Sequence, residues 1–592
     1  MAKKTEKDTG KAFDYTLLKR LLQFIKPYRI TFYGVILAAI LLSVFAILSP
    51  VLLREIVNTA LENKDQSLLL NLIVLMMVVL IFEVVSQLSF VYYANWLGES
   101  VIKDIRIKLF KHMLSFKMKY YDNSSVGLLV TRAVTDIQRI GEIFSQGFFM
   151  IVSDLLKMVV VAGVMLFYSW KLALIVFAIM PIILYATKVF QKAMKGAFID
   201  VRGQVSNLNT FVQERITGMK IVQLFNREKI EQEKFRVINE KHQNAWLKTV
   251  WYNSIFFPIA EIVSSVAIGL IVWYGGLRVV LNNNVDELGT IFMFIQLSQM
   301  LFRPLRQIAD KFNVLQMGMV AANRVFAILD REDTITNEGS FEKPSIKGDI
   351  SFKNVHFGYV EGEEVLHGIS FDVKAGETVA IVGATGAGKS TIINLLNRFY
   401  EINSGQILVD GVDIKDYKLA SLREKIAIVL QDVFLFADTI ENNISLKNED
   451  ITLETITQAA QEISVHDFIT SLPNSYQYNV KERGSMLSSG QRQLLAFLRA
   501  YVSKPSILIL DEATSSVDTY SEQLIQKATE KITQGRTSIV IAHRLATIKK
   551  ADKIIVMDAG AIIESGTHKE LLKKGGYYKS LYQAQFLAED VA

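Results

Sequence analysis

The stretch Gly383-Ala384-Thr385-Gly386-Ala387-Gly388-Lys389-Ser390-Thr391 matches the pattern G-x-x-x-x-G-K-[ST] without a mismatch. The apolar run ending at Val382 predicts a buried strand, and residues 392–396 predict a helix. Glycines let the backbone curl so that successive N–H groups point at an anion, and a helix N-terminus favours negative charge. The alternative is a glycine-rich turn without a ligand. The complete motif between a strand and a helix instead predicts a site for a nucleoside triphosphate.

We expect seven residues of this loop to contact the nucleotide. Lys389 can reach the terminal phosphates, and the Ser390 hydroxyl is placed to ligate Mg²⁺. The remaining five are Gly383, Thr385, Gly386, Gly388 and Thr391.

The composition indicates that the chain has a second domain, which lies in a membrane. Of the 592 residues, 51% are hydrophobic and only 21% are charged, which is too apolar for a wholly soluble enzyme. No cysteine is present, so a disulfide framework, a thiolate metal site and a thiol nucleophile are all excluded. A net charge of +6 is mild, and we expect no nucleic-acid partner.

Apolar runs long enough to cross a bilayer, about 20 residues each, occur six times before residue 315. Positive residues are concentrated in the N-terminus and in two long intervening segments, and such segments stay cytoplasmic. The alternative is a large soluble protein with six buried helices, which the alternating charge of the loops disfavours. The predicted spans are 30–53, 67–96, 144–170, 172–190, 250–277 and 288–310, the third and fourth joined by a tight hairpin at 168–171.

The pattern divides the chain into four parts. Residues 1–29 form a cytoplasmic N-terminus, in which 13–28 predict an amphipathic helix lying along the inner surface and ending at Pro27. Residues 30–315 are the membrane domain and 316–347 a linker. Residues 348–592 alternate short apolar strands with helical stretches, which is typical of a mainly parallel sheet covered by helices. The candidate strands are 350–355, 377–382, 407–410, 426–430, 506–510, 537–541 and 553–557.

Two carboxylates follow the apolar run at 506–510. Asp511 is expected to hold Mg²⁺, directly or through water. Glu512 is suited to polarise an attacking water. A strand end capped by solvated acids is the alternative, and the phosphate-binding motif upstream favours the catalytic interpretation.

Five further short motifs lie in the C-terminal half of the chain. They are Gln431, Leu487-Ser488-Ser489-Gly490-Gln491, Asp511-Glu512, Ser515-Ser516-Val517-Asp518 and His543. Together with the phosphate loop they resemble the motif set of ATP-binding cassette (ABC) proteins, and the chain resembles a bacterial half-size ABC exporter over nearly its whole length. Residues 121–129 and 210–226 are similar to the two cytoplasmic loops of that family.

The resemblance implies a role for each of these residues. Without it, Tyr359, Gln431 and His543 would more ordinarily be structural or surface residues. Tyr359 would stack on adenine, Gln431 would touch Mg²⁺ and the attacking water, and His543 would contact the γ-phosphate. Ser488, Ser489, Gly490 and Gln491 would open a helix facing the ATP bound to the other subunit, and Asp518 would carry signals between the two ATP sites.

The resemblance also implies the architecture and the activity. The fold would be an all-α membrane domain of six transmembrane helices, followed by a C-terminal α/β P-loop ATPase domain. A dimer would use ATP and Mg²⁺ to move hydrophobic or amphiphilic compounds, drugs or lipids, outward across the bacterial cytoplasmic membrane. The ATPase domain and both termini would be cytoplasmic.

Two positions depart from the family pattern. Ser489 and Lys481 stand where the family usually has glycine, and a serine side chain is expected to restrict the backbone near the phosphate. In heterodimeric exporters one subunit often keeps the catalytic glutamate and carries an altered signature. A heterodimer subunit with one degenerate site and a homodimer are therefore both open, and simplicity favours the homodimer slightly.

Other function classes compete with the exporter. An ATP-gated channel or a regulator that does not pump is disfavoured by the intact Glu512. A soluble-type ATPase with a membrane anchor would not need six spans, and an importer is improbable without a recognisable binding-protein dock.

Four ionisable residues lie within the predicted spans, where such groups are functional suspects by default. Glu83 and Glu261 are candidates for a wet cavity that attracts cationic amphiphiles. Asp154 and Lys157, three residues apart, are predicted to neutralise each other on one helix face.

Overall fold

The computed structural model describes residues 15–62, 66–282, 286–335, 339–511, 519–542 and 545–585. The chain divides into two compact units. The helical unit comprises residues 1–114 and 125–332, and the sheet unit comprises residues 115–124 and 333–592.

Long helices build the helical unit. α1 ends at Gln23, earlier than predicted, and a 3₁₀ turn over Lys26–Tyr28, with Pro27 inside it, follows before α2. α10 continues to Leu329, so residues 316–329, which the sequence assigns to the linker, are helical. The helices up to this point are α1 (Tyr15–Gln23), α2 (Arg29–Glu62), α3 (Gln66–Met113), α4 (Met118–Asp122), α5 (Val126–Thr131), α6 (Ile137–Glu142), α7 (Phe149–Thr217), α8 (Met219–Leu224), α9 (Glu228–Asn282) and α10 (Asp286–Leu329), with π-helical turns at 132–136 and 143–148.

Within the described residues, five continuous helical stretches are long and apolar enough to cross a membrane. α7 has 69 residues, and at about 1.5 Å per residue it would be roughly three times the thickness of a bilayer core. Its helical geometry breaks at Ser169 (φ −157°, ψ 97°), inside the predicted hairpin. The break is consistent with two spans in α7, and the total of six stays a prediction.

The outer surface of the helical unit is apolar. Leu70, Ile81 and Leu88 on α3 each expose 60% or more of their surface. Exposed apolar residues of this number on one helix are typical of a lipid-facing surface. The inner faces of α7, α9 and α10 pack into one core that includes Val161, Ala267 and Phe294.

One glycine sets the close approach of α10 to α2. A Cβ atom at Gly289 would lie 2.4 Å from the carbonyl oxygen of Arg54, closer than non-bonded atoms can approach. The Gly289 N–H donates instead to Asn58 Oδ1 at 3.0 Å. A side chain at this position would therefore force the two helices apart.

Two sheets form the other unit. The six-stranded sheet has the order β10-β9-β3-β8-β7-β6 and is parallel except for the β9–β10 pair. The four-stranded sheet, β2-β1-β4-β5, is antiparallel. The strands are β1 (Ile350–Phe357), β2 (Leu366–Val373), β3 (Thr378–Gly383), β4 (Ser404–Val409), β5 (Val412–Asp413), β6 (Ile426–Val429), β7 (Ile507–Asp511), β8 (Thr537–Ile541), β9 (Lys553–Asp558) and β10 (Ala561–Gly566).

The predicted parallel sheet is therefore correct for five of the seven candidate strands and wrong for the other two. β1 and β4 belong to the antiparallel sheet, since they pair with each other and with strands that the sequence pattern did not reveal. The sequence pattern did not predict β2, because polar residues and Gly368 interrupt its apolar run.

Helices cover the six-stranded sheet on both faces. Leu508 and Leu510 of β7 pack into one core and Ile507 and Ile509 into the other, which explains the continuous apolar run of that strand. The fold class predicted from the sequence is confirmed. The helices are α11 (Lys389–Leu396), α12 (Leu419–Glu424), α13 (Ile440–Ser445), α14 (Leu453–Glu462), α15 (His466–Thr470), α16 (Ser489–Val502), α17 (Thr519–Thr533), α18 (Leu545–Lys550), α19 (His568–Lys574) and α20 (Tyr577–Gln585).

Candidate nucleotide-binding site

The phosphate-binding motif connects β3 to α11, as predicted. Gly386 and Gly388 have φ values of 84° and 95°, in the left-handed region that favours glycine. A Cβ atom at Gly388 would also lie 2.8 Å from Leu366 Cδ2. Both positions therefore favour glycine, Gly386 through its backbone conformation and Gly388 also through its close contact with Leu366, and the loop curls tightly around the start of α11.

Lys389 is the first residue of α11 and is only 8% exposed. Its Nζ donates to the carbonyl oxygens of Gly383 and Ala384 at 2.8 and 2.9 Å. Burial lowers the pKa of Lys389, and the nearby carboxylate of Asp511 opposes that effect. The loop thus holds its lysine folded against its own backbone, within reach of an anion bound there.

Ser390 and Asp511 meet at the ends of α11 and β7. The Ser390 hydroxyl donates to Asp511 Oδ2 at 3.5 Å. A hydroxyl and a carboxylate are the oxygen ligands that Mg²⁺ prefers, so the two residues fit the predicted metal role. Gln431 lies two residues after β6, the strand beside β7. Glu512, Asp518 and His543 lie outside the described residues.

Tyr359 lies over the first turns of α11. Its hydroxyl donates to Thr391 Oγ1 at 3.3 Å and accepts from Asn394 Nδ2 at 3.2 Å. Sequence reasoning missed Asn394, although its position three residues after Thr391 places both on one helix face. These bonds fix the half-buried tyrosine ring beside the phosphate loop.

Residues 115–124, part of the first predicted cytoplasmic loop region, belong to the sheet unit. The Lys117 N–H donates to the Asp333 carbonyl oxygen at 3.0 Å, and Tyr400 donates a hydrogen bond to Asp122. The Tyr400 ring packs edge-on against Tyr359, with centroids 5.0 Å apart. A short chain of contacts therefore joins α4 to the aromatic residue of the nucleotide site.

The residues Ser488–Gln491 open a helix, as predicted. Ser488 is the N-cap of α16: its Oγ accepts from Gln491 N–H at 3.2 Å, and Gln491 Oε1 accepts from Ser488 N–H at 2.9 Å. This reciprocal capping box satisfies the N–H groups of Ser488 and Gln491 and fixes the start of the helix, where Ser488 and Ser489 are exposed. Ser489 begins the helix without a positive φ, so its own conformation does not require glycine, and the expected restriction near a phosphate stays a prediction.

Lys481, the second departure, does occupy a special conformation. Its backbone has φ 60° and ψ −173°, a region populated almost only by glycine. Arg483, two residues on, is also left-handed (φ 54°, ψ 21°). The chain between Val480 and the capped helix is thus strained where the family pattern has glycine.

The ionisable candidate residues of the helical unit have partners on neighbouring helices. Asp154 pairs with Lys311 of α10 and also interacts electrostatically with Lys157, so the neutralisation predicted within α7 involves a third residue. The α10 side chain reaches the carboxylate across the helix–helix contact. Glu261 accepts from Arg306 Nη1 at 3.1 Å and lines a cavity of about 680 Å³. Glu83 is half-buried on α3, and it is not among the residues lining this cavity.

Comparison with known proteins gives the family. Residues 32–305 match the family model described as the ABC transporter transmembrane region, and residues 366–515 match the model described as ABC transporter. An uncharacterized ABC transporter ATP-binding protein of Bacillus subtilis is 35% identical over 97% of this chain and 96% of its own length. The chain belongs to the half-size ABC exporters.

Two further relatives carry more specific names. A putative multidrug export ATP-binding/permease protein of Bacillus subtilis is 34% identical over 96% of this chain and all of its own length. An ATP-dependent lipid A-core flippase of Haemophilus influenzae is 36% identical over 96% of this chain and 97% of its own length. This ABC exporter is therefore a membrane protein that couples ATP hydrolysis to transport.

Proposed function

We propose that two copies of this chain enclose two ATP molecules and use their hydrolysis to export amphiphilic drugs or lipids from the bacterial cytoplasm or inner leaflet. The observation that carries the proposal is the pair of half-sites on the sheet unit. One is the curled loop with Lys389, and the other is the capped start of α16.

A phosphate loop contacts one side of a nucleotide only. The first turn of α16, with Ser488 and Ser489 exposed, presents backbone N–H groups that suit a γ-phosphate approaching from outside the chain. A second copy supplies that phosphate on its own Lys389 loop. In this dimer each ATP lies between the loop of one copy and α16 of the other, and Asp518 would carry signals between the two sites.

Each remaining site residue has a role in this arrangement. The fourteen residues that would hold the nucleotide and its metal are Tyr359, Gly383, Thr385, Gly386, Gly388, Lys389, Ser390, Thr391, Gln431 and Asp511 from one copy and Ser488–Gln491 from the other. Mg²⁺, when bound by Ser390, Asp511 and Gln431, would neutralise charge on the phosphates. Glu512 orients the attacking water, and His543 contacts the γ-phosphate.

ATP binding would close the dimer and switch the membrane part from inward-facing to outward-facing. To turn a 1:99 preference into 99:1, two ATP molecules together must favour the outward state by about 5.5 kcal/mol. Two triphosphates, each held by backbone donors and an ammonium, can supply a difference of this size. Hydrolysis removes the γ-phosphate contact and resets the transporter.

The membrane arrangement follows from the distribution of charge. Six spans, with both termini and the sheet unit in the cytoplasm, agree with the basic segments at 97–143 and 191–249. We assign the cargo to drugs or lipids because two relatives are named for multidrug export and for lipid A-core flipping. The domains would be 1–29, 30–315, a linker and 348–592, with α10 extending into the linker.

The test is to purify the chain alone, determine its oligomeric state in nanodiscs, and measure ATP hydrolysis and vesicle transport. A dimer whose hydrolysis is abolished by Glu512→Gln supports the proposal. A monomer with full hydrolysis, or hydrolysis that moves no amphiphile in any vesicle, contradicts it.

A heterodimer is the second candidate, favoured by Ser489 and Lys481. In that case the chain alone would hydrolyse ATP slowly, and a second half-transporter with a glycine signature would restore the rate. Robust hydrolysis by the unaccompanied chain excludes this candidate.

A further inference from the structure

The cavity of about 680 Å³ lies between α7, α9 and α10, and its walls differ in character. One wall is aromatic: the rings of Phe190 and Phe256 stack with centroids 4.1 Å apart, and Phe198 and Phe257 are exposed beside them. A cavity of this size with an apolar wall and a few polar groups is typical of a site for a drug-sized molecule.

The opposite wall carries a polar stripe of α10. Gln299, Arg303 and Gln307 are spaced four residues apart, so they lie above one another on one helix face. All three are exposed to the cavity side of α10 in the described structure. Two amides therefore flank one guanidinium, and together they offer donors to a single bound group.

Two carboxylates, Glu261 and Asp310, line the same cavity as Arg303 and Arg306, but Arg303 has no ion-pair partner in the part of the chain that the structure describes. Among the described residues, no carboxylate lies within 4.0 Å of Arg303, because Glu261 is engaged by Arg306 at 3.1 Å. Lys157 interacts electrostatically with Arg303 and also with the carboxylates of Glu83 and Asp154, which balance its charge. Asp310, seven residues on, is about 10 Å away along the helix axis.

Arg306, three residues after Arg303 on α10, carries a hydrogen-bond donor without a partner among the described residues. The Nε atom of Arg306 is buried and has no hydrogen-bond partner in the described part of the chain. A buried donor without a partner is costly, and a charged group within a membrane span is costly unless an opposite charge meets it. Both costs are relieved by an anion placed between Arg303 and Arg306.

We infer that the exported amphiphile carries an anionic headgroup, which Arg303 binds with Gln299 and Gln307 while the tail lies against the phenylalanine wall. The inference rests on the proposed export function and specifies its substrate class. It replaces the expectation of a cationic cargo at Glu261, since that carboxylate is already paired with Arg306.

The test uses three probes with the same twelve-carbon tail: dodecyl phosphate, dodecyltrimethylammonium and dodecyl maltoside, each below its micelle concentration. The full chain in nanodiscs is titrated with each probe, and the ratio of stimulated to basal ATP hydrolysis gives a half-saturating concentration. We expect the phosphate to act at the lowest concentration. Inorganic phosphate provides the arm without a tail and is expected to give no stimulation in the same range.

Arg303→Gln is expected to raise the half-saturating concentration of dodecyl phosphate by about tenfold or more, the loss typical of one charge-assisted hydrogen bond. Arg303→Lys keeps the charge and should recover part of the response, which also shows that the site tolerates substitution. The matched control is Lys192→Gln, a charge removal at an exposed position of α7 that does not line the cavity. It should leave all three titrations unchanged.

Different results would refute the headgroup inference and the export function. If ATP hydrolysis is present and depends on Lys389, but the three amphiphiles act equally or Arg303→Gln has no effect, the headgroup inference is wrong and export stands. An equal response to inorganic phosphate also overturns it. If the chain shows no hydrolysis that Lys389→Ala removes, the export function itself is wrong.

Discussion

Replacing Lys481 by glycine is expected to stabilise the sheet unit. The residue is held at φ 60° and ψ −173°, which costs a non-glycine residue about 1–3 kcal/mol. Glycine relieves this strain, but its greater freedom in the unfolded chain takes back about 0.5–1 kcal/mol. The backbone N–H bond to Asn479 Oδ1 at 2.9 Å survives the change. The net gain is roughly 0.5–2 kcal/mol, or about 1–8 °C for a domain of this size.

The assay is the thermal midpoint of the full chain in nanodiscs, followed by fluorescence and by the ATP hydrolysis that remains after heating. The matched control is Lys527→Gly, the same substitution at an exposed position inside α17, where glycine costs about 1 kcal/mol. The control should lower the midpoint while Lys481→Gly raises it. If both variants lower the midpoint equally, the left-handed conformation at 481 is not strained and the reasoning is refuted.

Three further predictions address other parts of the sheet unit. The Asp410 carboxylate accepts hydrogen bonds from the backbone N–H groups of residues 347–349. Burial raises the pKa of Asp410, but these donors outweigh burial and hold the pKa below its usual value. The contribution of Asp410 to stability is therefore present above about pH 4 and is lost as the pH falls through the lowered pKa. Asp410→Asn should therefore cost about 1.5–3 kcal/mol at pH 7, and a midpoint difference from the wild type that persists undiminished at acid pH would contradict this. Ser488→Ala removes the helix cap and should lower the thermal midpoint by the equivalent of about 1 kcal/mol. Ser488→Asp keeps the cap and the midpoint, but its negative charge should repel a phosphate and reduce ATP hydrolysis. Equal hydrolysis in Ser488→Asp and wild type would argue against a phosphate at this helix. Tyr400→Phe removes the hydrogen bond to Asp122 and should weaken the stimulation of ATP hydrolysis by cargo, measured as the ratio of stimulated to basal rate. An unchanged ratio would exclude a role for this contact in coupling cargo binding to hydrolysis.

Local pattern was sufficient where a single segment determines its own environment. The phosphate loop needs glycines at positive φ, and these glycines are visible in the sequence. β7 is buried on both faces and therefore reads as a continuous apolar run ending in Asp511. The capped start of α16 was likewise predictable, since a serine followed three residues later by a glutamine is a helix-start pattern.

Long-range pairing could not be predicted in the same way. Asp154 pairs with Lys311, which lies 157 positions later, and only the packing of α7 against α10 brings them together. β2 joins β1 through backbone hydrogen bonds that do not depend on an apolar pattern. Glu261 on α9 pairs with Arg306 on α10, a meeting that no spacing along the chain reveals, and within the described segments Arg303 is left without an ion-pair partner.

The central claim is that each ATP is held by Lys389 of one copy and the α16 start of another, and mixed dimers test it most directly. Copies with two different affinity tags are co-expressed, and tandem purification isolates dimers that contain one of each. In one preparation Lys389→Ala and Ser488→Asp are on the same copy beside a wild-type copy; in the other each copy carries one substitution. Photolabelling with an azido-ATP under trapping conditions reports the intact sites.

The account predicts that the dimer with one substitution per copy keeps one intact site and traps nucleotide, while the dimer with both on the same copy traps none. The reverse result, with trapping only when both substitutions share a copy, would place each ATP site within a single chain and contradict the account.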